Sequence, residues 1–218
     1  MPKTSSPPRR RTQAERTAET RAKLIDSTIE CLIERGYSGT TTVAICEGAG
    51  VSHGSLLHHF GKREVLLGAA LEAVYSRLQG RVVSQLDALP EGSARVEAMV
   101  ELMWTSFGAR EFKAVLELWM AAANQPDVSW SILPETRAFD SGIAPLAKQL
   151  LPEFAERLPD FEVYVNLIFQ ALQGMGLAQA TLPPTGDGDM HAQIRALLTR
   201  VLVRAFAEAG PGDDEANR

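Results

Sequence analysis

The sequence predicts an all-α protein, and three observations support that prediction. Apolar residues recur at helical spacing along almost the whole chain, whereas no segment alternates apolar and polar residues as a strand does. The breaks between these segments fall at glycine and proline. With 218 residues, of which 45% are hydrophobic, the chain is long enough to bury a substantial core.

The first three helices are predicted from their faces and caps. The first covers about residues 15–35 and ends at Gly36, and its apolar face holds Leu24, Ile25, Thr28, Ile29, Leu32 and Ile33. Thr40-Thr41 then offers an N-cap for a short second helix that ends at Gly50. Ser52 caps a short third helix that ends near Phe60.

The second and third helices have the spacing of a helix-turn-helix over residues 42–61. Such a unit needs a small residue where the helices cross, here Cys46, and a glycine in the turn, here Gly50. Val51, Leu56 and Phe60 would pack the third helix against the second. The outward face then carries no acid and consists of His53, Gly54, Ser55, Leu57 and His58. Such a face suits the major groove of DNA.

The charge distribution points to the same partner. Residues 1–63 carry ten Lys/Arg and six Asp/Glu, a net charge of +4, so the remainder of this −5 chain carries −9. A basic N-terminal part is attracted to a polyanion, although a solvated basic face would give the same count. Arg9-Arg10-Arg11 is either a disordered tail or an arm that reaches a minor groove.

We expect neither a metal nor a cofactor. Cys31 and Cys46 occupy apolar helix positions, which indicates buried free thiols. His58 and His59 diverge by about 100° on a helix, so they cannot bind one ion without distortion. The sequence has no spaced nucleophile and base, phosphate loop or metal motif of an enzyme.

We also expect a cytoplasmic protein without a membrane segment. The longest apolar stretch, 163–182, is interrupted by Asn166, Gln170, Gln173 and Gln179. Residues 1–12 are basic and lack the apolar region of a signal peptide.

The N-terminal part resembles the TetR-type (tetracycline-repressor-like) regulators over about residues 20–67. The similar residues are Gly36-Tyr37-Ser38-Gly39-Thr40-Thr41, Ile45, Ala49-Gly50-Val51-Ser52, Gly54, His58-His59-Phe60 and Glu64-Val65-Leu66-Leu67. The resemblance implies three N-terminal helices that bind an operator and a larger helical domain that dimerises and binds a small effector.

The resemblance also implies roles for individual residues. Thr41 would contact a phosphate, and His53, Ser55 and His58 would lie on or beside the recognition surface with Gly54. The main role expected of Ser52 is to cap the third helix, and a phosphate contact is its secondary role. Lys62 and Arg63 stand where the family has a small polar residue and a lysine, and either can neutralise a phosphate. Leu57 and Val43 replace a tyrosine and a frequently polar residue, which removes contacts that the family often uses.

The chain is therefore expected to divide into four parts: a disordered basic arm (1–14), a helix-turn-helix DNA-binding domain (15–63), a helical effector-binding and dimerisation domain (64–209) and a disordered tail (210–218). Helices are predicted over about 64–88, 92–108, 110–124, 128–150, 159–181 and 188–208, with breaks at prolines.

The last two helices carry the predicted homodimer interface. One apolar stripe consists of Phe161, Val165, Ile168, Leu172 and Met175, and the other includes Ile194, Leu197 and Val201. Two such hairpins can form a four-helix interface, or both stripes can be buried inside one subunit.

An effector site is predicted where aromatic residues gather in the middle helices. The candidates are Trp104, Phe107, Trp119, Met120, Trp130 and Phe139, with Gln170 and Gln173 as polar contacts and Glu101 and Glu117 as further polar candidates. Residues 117–126 are similar to a segment of choline-sensing family members, which would imply an aromatic cage for a quaternary ammonium.

The resulting prediction is a repressor, released from a pseudo-palindromic operator when a small, largely apolar effector binds. An enzyme and a helical protein-interaction adaptor are the alternative classes, and steep salt-dependent binding to duplex DNA would distinguish the regulator from the adaptor.

Overall fold

The computed structural model describes residues 12–85, 88–182 and 190–209. Within these ranges the chain forms α-helices and no strand, which confirms the predicted all-α class. The helices are α1 (Gln13–Gly39), α2 (Thr42–Ala49), α3 (His53–Phe60), α4 (Arg63–Ser84), α5 (Ser93–Phe107), α6 (Phe112–Ala122), α7 (Pro126–Leu150), α8 (Pro152–Arg157), α9 (Phe161–Thr181) and α10 (Met190–Glu208). Arg9-Arg10-Arg11, residues 1–11 of the predicted arm and the tail 210–218 lie outside the described residues.

The caps predicted for the second and third helices are confirmed, at Thr41 and Ser52. The Thr41 hydroxyl accepts a hydrogen bond from the backbone N–H of Ala44, and the Ser52 hydroxyl accepts one from Ser55. Gly50 has the left-handed conformation (φ 64°) that lets the chain leave α2 and enter the turn. The first helix is longer than predicted, because the chain resumes helical conformation after a break at Gly36 and continues to Gly39.

A small core joins α1, α2, α3 and the start of α4. Leu56 and Phe60 of α3 are buried against Ile45 and Cys46 of α2, with Val51 partly buried beside them. The predicted packing of the helix-turn-helix is therefore confirmed. Ser27 of α1 donates a hydrogen bond to the carbonyl of Ile45 (2.8 Å) and fixes α2 on the long first helix.

The remaining helices enclose a second and larger core. Its buried residues come from α1 and from α4 to α10. Pro126 and Pro152, expected as breaks, are the first residues of α7 and α8, where a missing N–H costs nothing. The short helix α8 was not predicted.

The predicted dimer stripe on α9 is wrong, because those residues lie in this second core. Phe161, Val165, Ile168, Leu172 and Met175 are all buried within one chain, where α9 packs against α5 and α7. On α10, Ile194 is half-buried against the same core, whereas Leu197 and Val201 are exposed. Periodicity identifies an apolar face but not whether the chain itself or a partner covers it.

Helices α4 and α7 approach each other closely at Gly68. A Cβ atom built on Gly68 would lie 2.5 Å from the backbone carbonyl oxygen of Ser131, which is closer than two such atoms can stand. The absence of a side chain at this position therefore sets the distance between α4 and α7.

We expect Gly68→Ala to lower the free energy of unfolding by about 1–3 kcal/mol, because the added methyl group must push two backbones apart. Gly80→Ala is the matched control on the same helix, since nothing lies within 4 Å of its added Cβ. That control should gain about 0.5–1 kcal/mol from helix propensity. Urea denaturation followed by circular dichroism measures both, and equal effects would contradict the proposed crossing.

Candidate DNA-binding surface and ligand cavity

The predicted DNA contacts lie on α3, at the N-caps of α2, α3 and α4 and at the first residue of α4, and most of them are accessible. Thr41, Ser52, His53, Gly54, His58 and Lys62 are exposed, whereas Ser55 and Arg63 are half-buried. The eight residues of α3 include no acid. Two apolar side chains, Val43 and Leu57, are also exposed on α2 and α3. The surface therefore combines hydroxyl, imidazole and ammonium groups with two apolar contacts.

The Arg63 side chain is engaged within the chain. Its Nε donates to the carbonyl of Thr40 (2.7 Å), Nη2 donates to the carbonyl of Tyr37 (2.9 Å), and Nη1 donates to the Tyr37 hydroxyl (3.0 Å). The guanidinium carbon also lies 4.4 Å from the centre of the Tyr37 ring. Arg63 therefore holds the first turn of α4 against Tyr37, in the last turn of α1, and Thr40, which follows α1. Sequence reasoning missed this role.

The segment from Tyr37 to Thr40 is held from the other side by α6 and the start of α7. The backbone N–H of Tyr37 donates to Glu117 Oε2 (2.8 Å), and the Tyr37 hydroxyl donates to Gln125 Oε1 (2.7 Å). We call Tyr37 with Arg63, Glu117 and Gln125 the Tyr37 cluster. Glu117, expected as a polar ligand contact, thus binds the backbone before α2.

Gly36 makes this arrangement possible. Its backbone has φ 67° and ψ −179°, a conformation that is essentially restricted to glycine. A Cβ at this position would also lie 3.0 Å from Glu117 Oε2. The glycine therefore lets the carboxylate of α6 reach the N–H of Tyr37.

A cavity of about 110 Å³ lies inside the larger core. Its wall is formed by α4, α5, α6, α7, α9 and α10 and by Leu151, and it is almost entirely apolar. Four of the predicted effector residues line it: Phe107, Trp119, Phe139 and Gln173.

The other four predicted effector residues do not line this cavity. Met120 and Trp130 are 62% and 74% exposed, and Gln170 is exposed on the outer side of α9. Trp104 packs on the guanidinium of the buried Arg195 (4.9 Å to the ring centre), which also donates to Glu101 (2.7 Å). Glu101 is thereby engaged in an ion pair between α5 and α10 rather than in ligand binding.

Tyr75 is the main cavity residue that sequence reasoning missed. Its ring stacks on Phe139 with centres 4.0 Å apart, and burial raises the pKa of its hydroxyl to about 12. It lies in α4, far along the chain from the aromatic concentration. The only sequence signal for Tyr75 is its place among the apolar residues that recur at every third or fourth position of α4.

Three further features of the described residues concern metal ions, membranes and thiols. No group of three His, Cys, Asp or Glu side chains is placed to hold a metal ion there. No described helix is long and apolar enough to cross a membrane. Cys31 and Cys46 are buried and unpaired, as predicted, and burial raises the pKa of both thiols.

Comparison with known proteins now identifies the N-terminal unit. Residues 24–70 match the family model of the bacterial regulatory proteins of the tetR family. The HTH-type transcriptional regulator BetI of Escherichia coli O139:H28 is 36% identical over 110 residues. Residues 24–70 therefore form the N-terminal domain that is characteristic of the TetR family. The alignment with BetI covers 49% of this chain and 56% of BetI, so the chain spans about half the length of the curated relatives it matches.

Solved structures extend the likeness of fold over the rest of the chain. A Pseudomonas aeruginosa PAO1 protein matches 95% of this chain and 100% of its own with a TM-score of 0.63 and 21% identity. A Saccharomonospora viridis protein, solved in complex with choline, matches 85% of this chain and 96% of its own with a TM-score of 0.63 and 18% identity. The match to the TetR-family model, at residues 24–70, includes every predicted DNA contact, Arg63 among them.

The roles of Arg63 and Lys62 can be separated by the same substitution in two adjacent residues. We expect Arg63→Gln to lower the free energy of unfolding by about 1.5–3 kcal/mol, because it removes charged hydrogen bonds to Tyr37 and Thr40. Lys62→Gln removes the same charge from an exposed side chain and should change it by less than about 0.5 kcal/mol. Thermal and urea denaturation measure both, and an equal loss in the two variants would contradict the structural role of Arg63.

Proposed function

We propose that this chain is a homodimeric transcriptional regulator of the TetR family that binds a DNA operator through α2, α3 and the start of α4. A small, largely apolar effector in the cavity then releases it. The observation that carries the proposal is the Tyr37 cluster, which joins the recognition surface to two helices that line the cavity.

DNA recognition is assigned to two kinds of contact. Thr41 and Ser52 stand at the N-termini of α2 and α3, where backbone N–H groups and the helix dipole favour a phosphate. Lys62 adds an exposed positive charge beside them. His53, Ser55 and His58 read base edges with Gly54 allowing close approach, and Val43 and Leu57 contact thymine methyl groups. Arg63 holds the surface in place rather than serving mainly as a phosphate ligand.

The dimer interface is assigned to the outer faces of α9 and α10. Val163, Leu167 and Leu177 are exposed at helical spacing on α9, and a Cβ on Gly174 of the same stripe would meet nothing in the chain. Met190, Leu197 and Val201 form an exposed stripe on α10. Two copies of this pair can bury the stripes against each other in an isologous four-helix interface.

Coupling between effector and operator is assigned to α4 and α6. Helix α4 lines the cavity from Tyr75 to Val82 and begins at Arg63, about 18 Å away at helical rise. Helix α6 carries Phe112 and Trp119 in the cavity wall and Glu117 in the Tyr37 cluster. A ligand that displaces either helix therefore acts on the segment that caps α2. By reciprocity, operator binding must weaken effector binding by the same factor.

The proposal is tested by selecting bound sequences from random duplex DNA with the full-length chain. We expect a pseudo-palindrome whose half-sites lie about one helical turn, roughly 34–36 Å, or a multiple of it apart. Enrichment of no sequence, or of a site without two-fold symmetry, would overturn the proposed dimeric regulator.

Variants in the same selection separate the assigned roles. Lys62→Gln should lower affinity for all sequences and reduce the salt dependence by about one phosphate contact, without changing the selected sequence. Ser55→Ala should change the preferred base at one position of each half-site.

The dimer assignment is tested by a charge placed on the outer face of α9. Leu167 is 52% exposed, and we expect Leu167→Glu to convert the dimer to a monomer, because the carboxylate would be buried between subunits without a partner. Val83→Glu is the matched control, since Val83 is 50% exposed on α4, outside the proposed interface. Analytical ultracentrifugation distinguishes the states. A Leu167→Glu chain that stays dimeric would place the interface elsewhere.

A further inference from the structure

The cavity lining includes five residues with polar side-chain atoms, namely Tyr75, Gln79, Ser106, Trp119 and Gln173, and two of these atoms are notable. They are the hydroxyl oxygen of Tyr75 and the indole nitrogen of Trp119, and both are buried without a hydrogen-bond partner among the described residues. Buried polar groups in folded proteins are nearly always paired, because an unpaired one loses its hydrogen bonds to water and gains none. Their partner is therefore to be sought in whatever fills the cavity.

Both atoms can act as donors. The indole N–H only donates, and the raised pKa of Tyr75 keeps its hydroxyl protonated at neutral pH. The two side chains are neighbours: burial has the largest effect on the Tyr75 pKa and raises it, whereas Thr136 and Trp119 lie near enough to the Tyr75 hydroxyl to lower it. Thr136 donates its own proton to the carbonyl of Ile132 (3.0 Å) and has none to offer a ligand. The two free donors thus suit one acceptor atom.

The charge of the wall bears on the ligand as well. None of the cavity-lining residues is an Asp, Glu, Lys, Arg or His. Glu117, the acid of α6, is bound to the backbone of Tyr37. A charged ligand would lose its hydration here without gaining an opposite charge, which is costly in a low-dielectric site. The aromatic faces of Tyr75, Phe139 and Trp119 can attract a quaternary ammonium, so a cation is the alternative to be tested.

We propose that the cavity binds an uncharged, compact and mainly apolar molecule with one hydrogen-bond acceptor, such as a carbonyl oxygen, which Tyr75 Oη and Trp119 Nε1 both bind. The cavity volume of about 110 Å³ is below the roughly 150 Å³ that holds benzene in an engineered cavity, so the ligand is small or side chains yield to it. This inference rests on the proposed function in taking the cavity as the effector site.

The test uses three probes with the same number of non-hydrogen atoms. Cyclohexanone carries the acceptor, methylenecyclohexane has the same shape without it, and choline carries the positive charge. Each is titrated into the full-length chain, and the indole N–H resonance of Trp119 is followed by NMR after its assignment with a Trp119→Phe variant. We expect cyclohexanone to shift this resonance as a hydrogen bond does, and choline to bind more weakly than cyclohexanone.

Variants then test the two donors. Tyr75→Phe removes the hydroxyl and keeps the stacked ring. It should lower the affinity for cyclohexanone, relative to the affinity for methylenecyclohexane, by about tenfold. Trp119→Phe should lower the ratio of the cyclohexanone affinity to the methylenecyclohexane affinity in the same way. Any loss of packing in either variant would show as a lower affinity for methylenecyclohexane. Tyr164→Phe is the control, because Tyr164 is half-buried on α9 outside the cavity wall.

Three results would overturn the inference: a ratio of the two neutral probes that neither variant changes, tighter binding of choline than of cyclohexanone, or no binding of any probe. The titrations contain no DNA. A negative result in the titrations would therefore not bear on the proposed DNA binding, which the operator selection tests independently.

Discussion

The hydrogen bonds that converge on Tyr37 hold the two parts of this molecule together. Arg63 from α4, Glu117 from α6 and Gln125 before α7 all contact one residue in the last turn of α1. The backbone N–H, the backbone carbonyl and the hydroxyl of Tyr37 are all used. Because Thr41, four residues later, caps α2, the position of the recognition surface depends on helices that belong to the larger core. In the proposed regulator, this is the connection through which a ligand is sensed.

The same connection explains why the cavity and the surface need no direct contact. Helices α4 and α6 each contribute to the cavity wall and to the Tyr37 cluster, α4 through its first residue Arg63 and α6 through Glu117 at its middle. Close packing transmits displacement, since a dense core deforms little. At Gly68 the backbones of α4 and α7 meet so closely that α4 has little freedom to move independently of α7. A ligand that fills the cavity therefore acts on connected helices rather than on isolated side chains.

Apolar patterning was a good guide to helices and a poor guide to what covers them. The α9 face with the stronger apolar stripe, from Phe161 to Met175, is buried in the chain's own core. The weaker stripe, through Val163, Leu167 and Leu177, is the one that the chain leaves exposed. The aromatic concentration behaved in the same way. Phe107 and Trp119 face the cavity, whereas Trp130 faces solvent and Trp104 covers a buried arginine.

The sequence by itself determined the helical class, the caps Thr41 and Ser52, the turn at Gly50 and the family of residues 24–70. These features depend on residues close together in the chain, where local backbone geometry and helical periodicity act. Only the tertiary structure decided that Arg63 and Glu117 meet at Tyr37, that Tyr75 lies in the cavity wall and which face of α9 is free. Each of these depends on contacts between helices distant in sequence, and no local pattern specifies which helix lies opposite another.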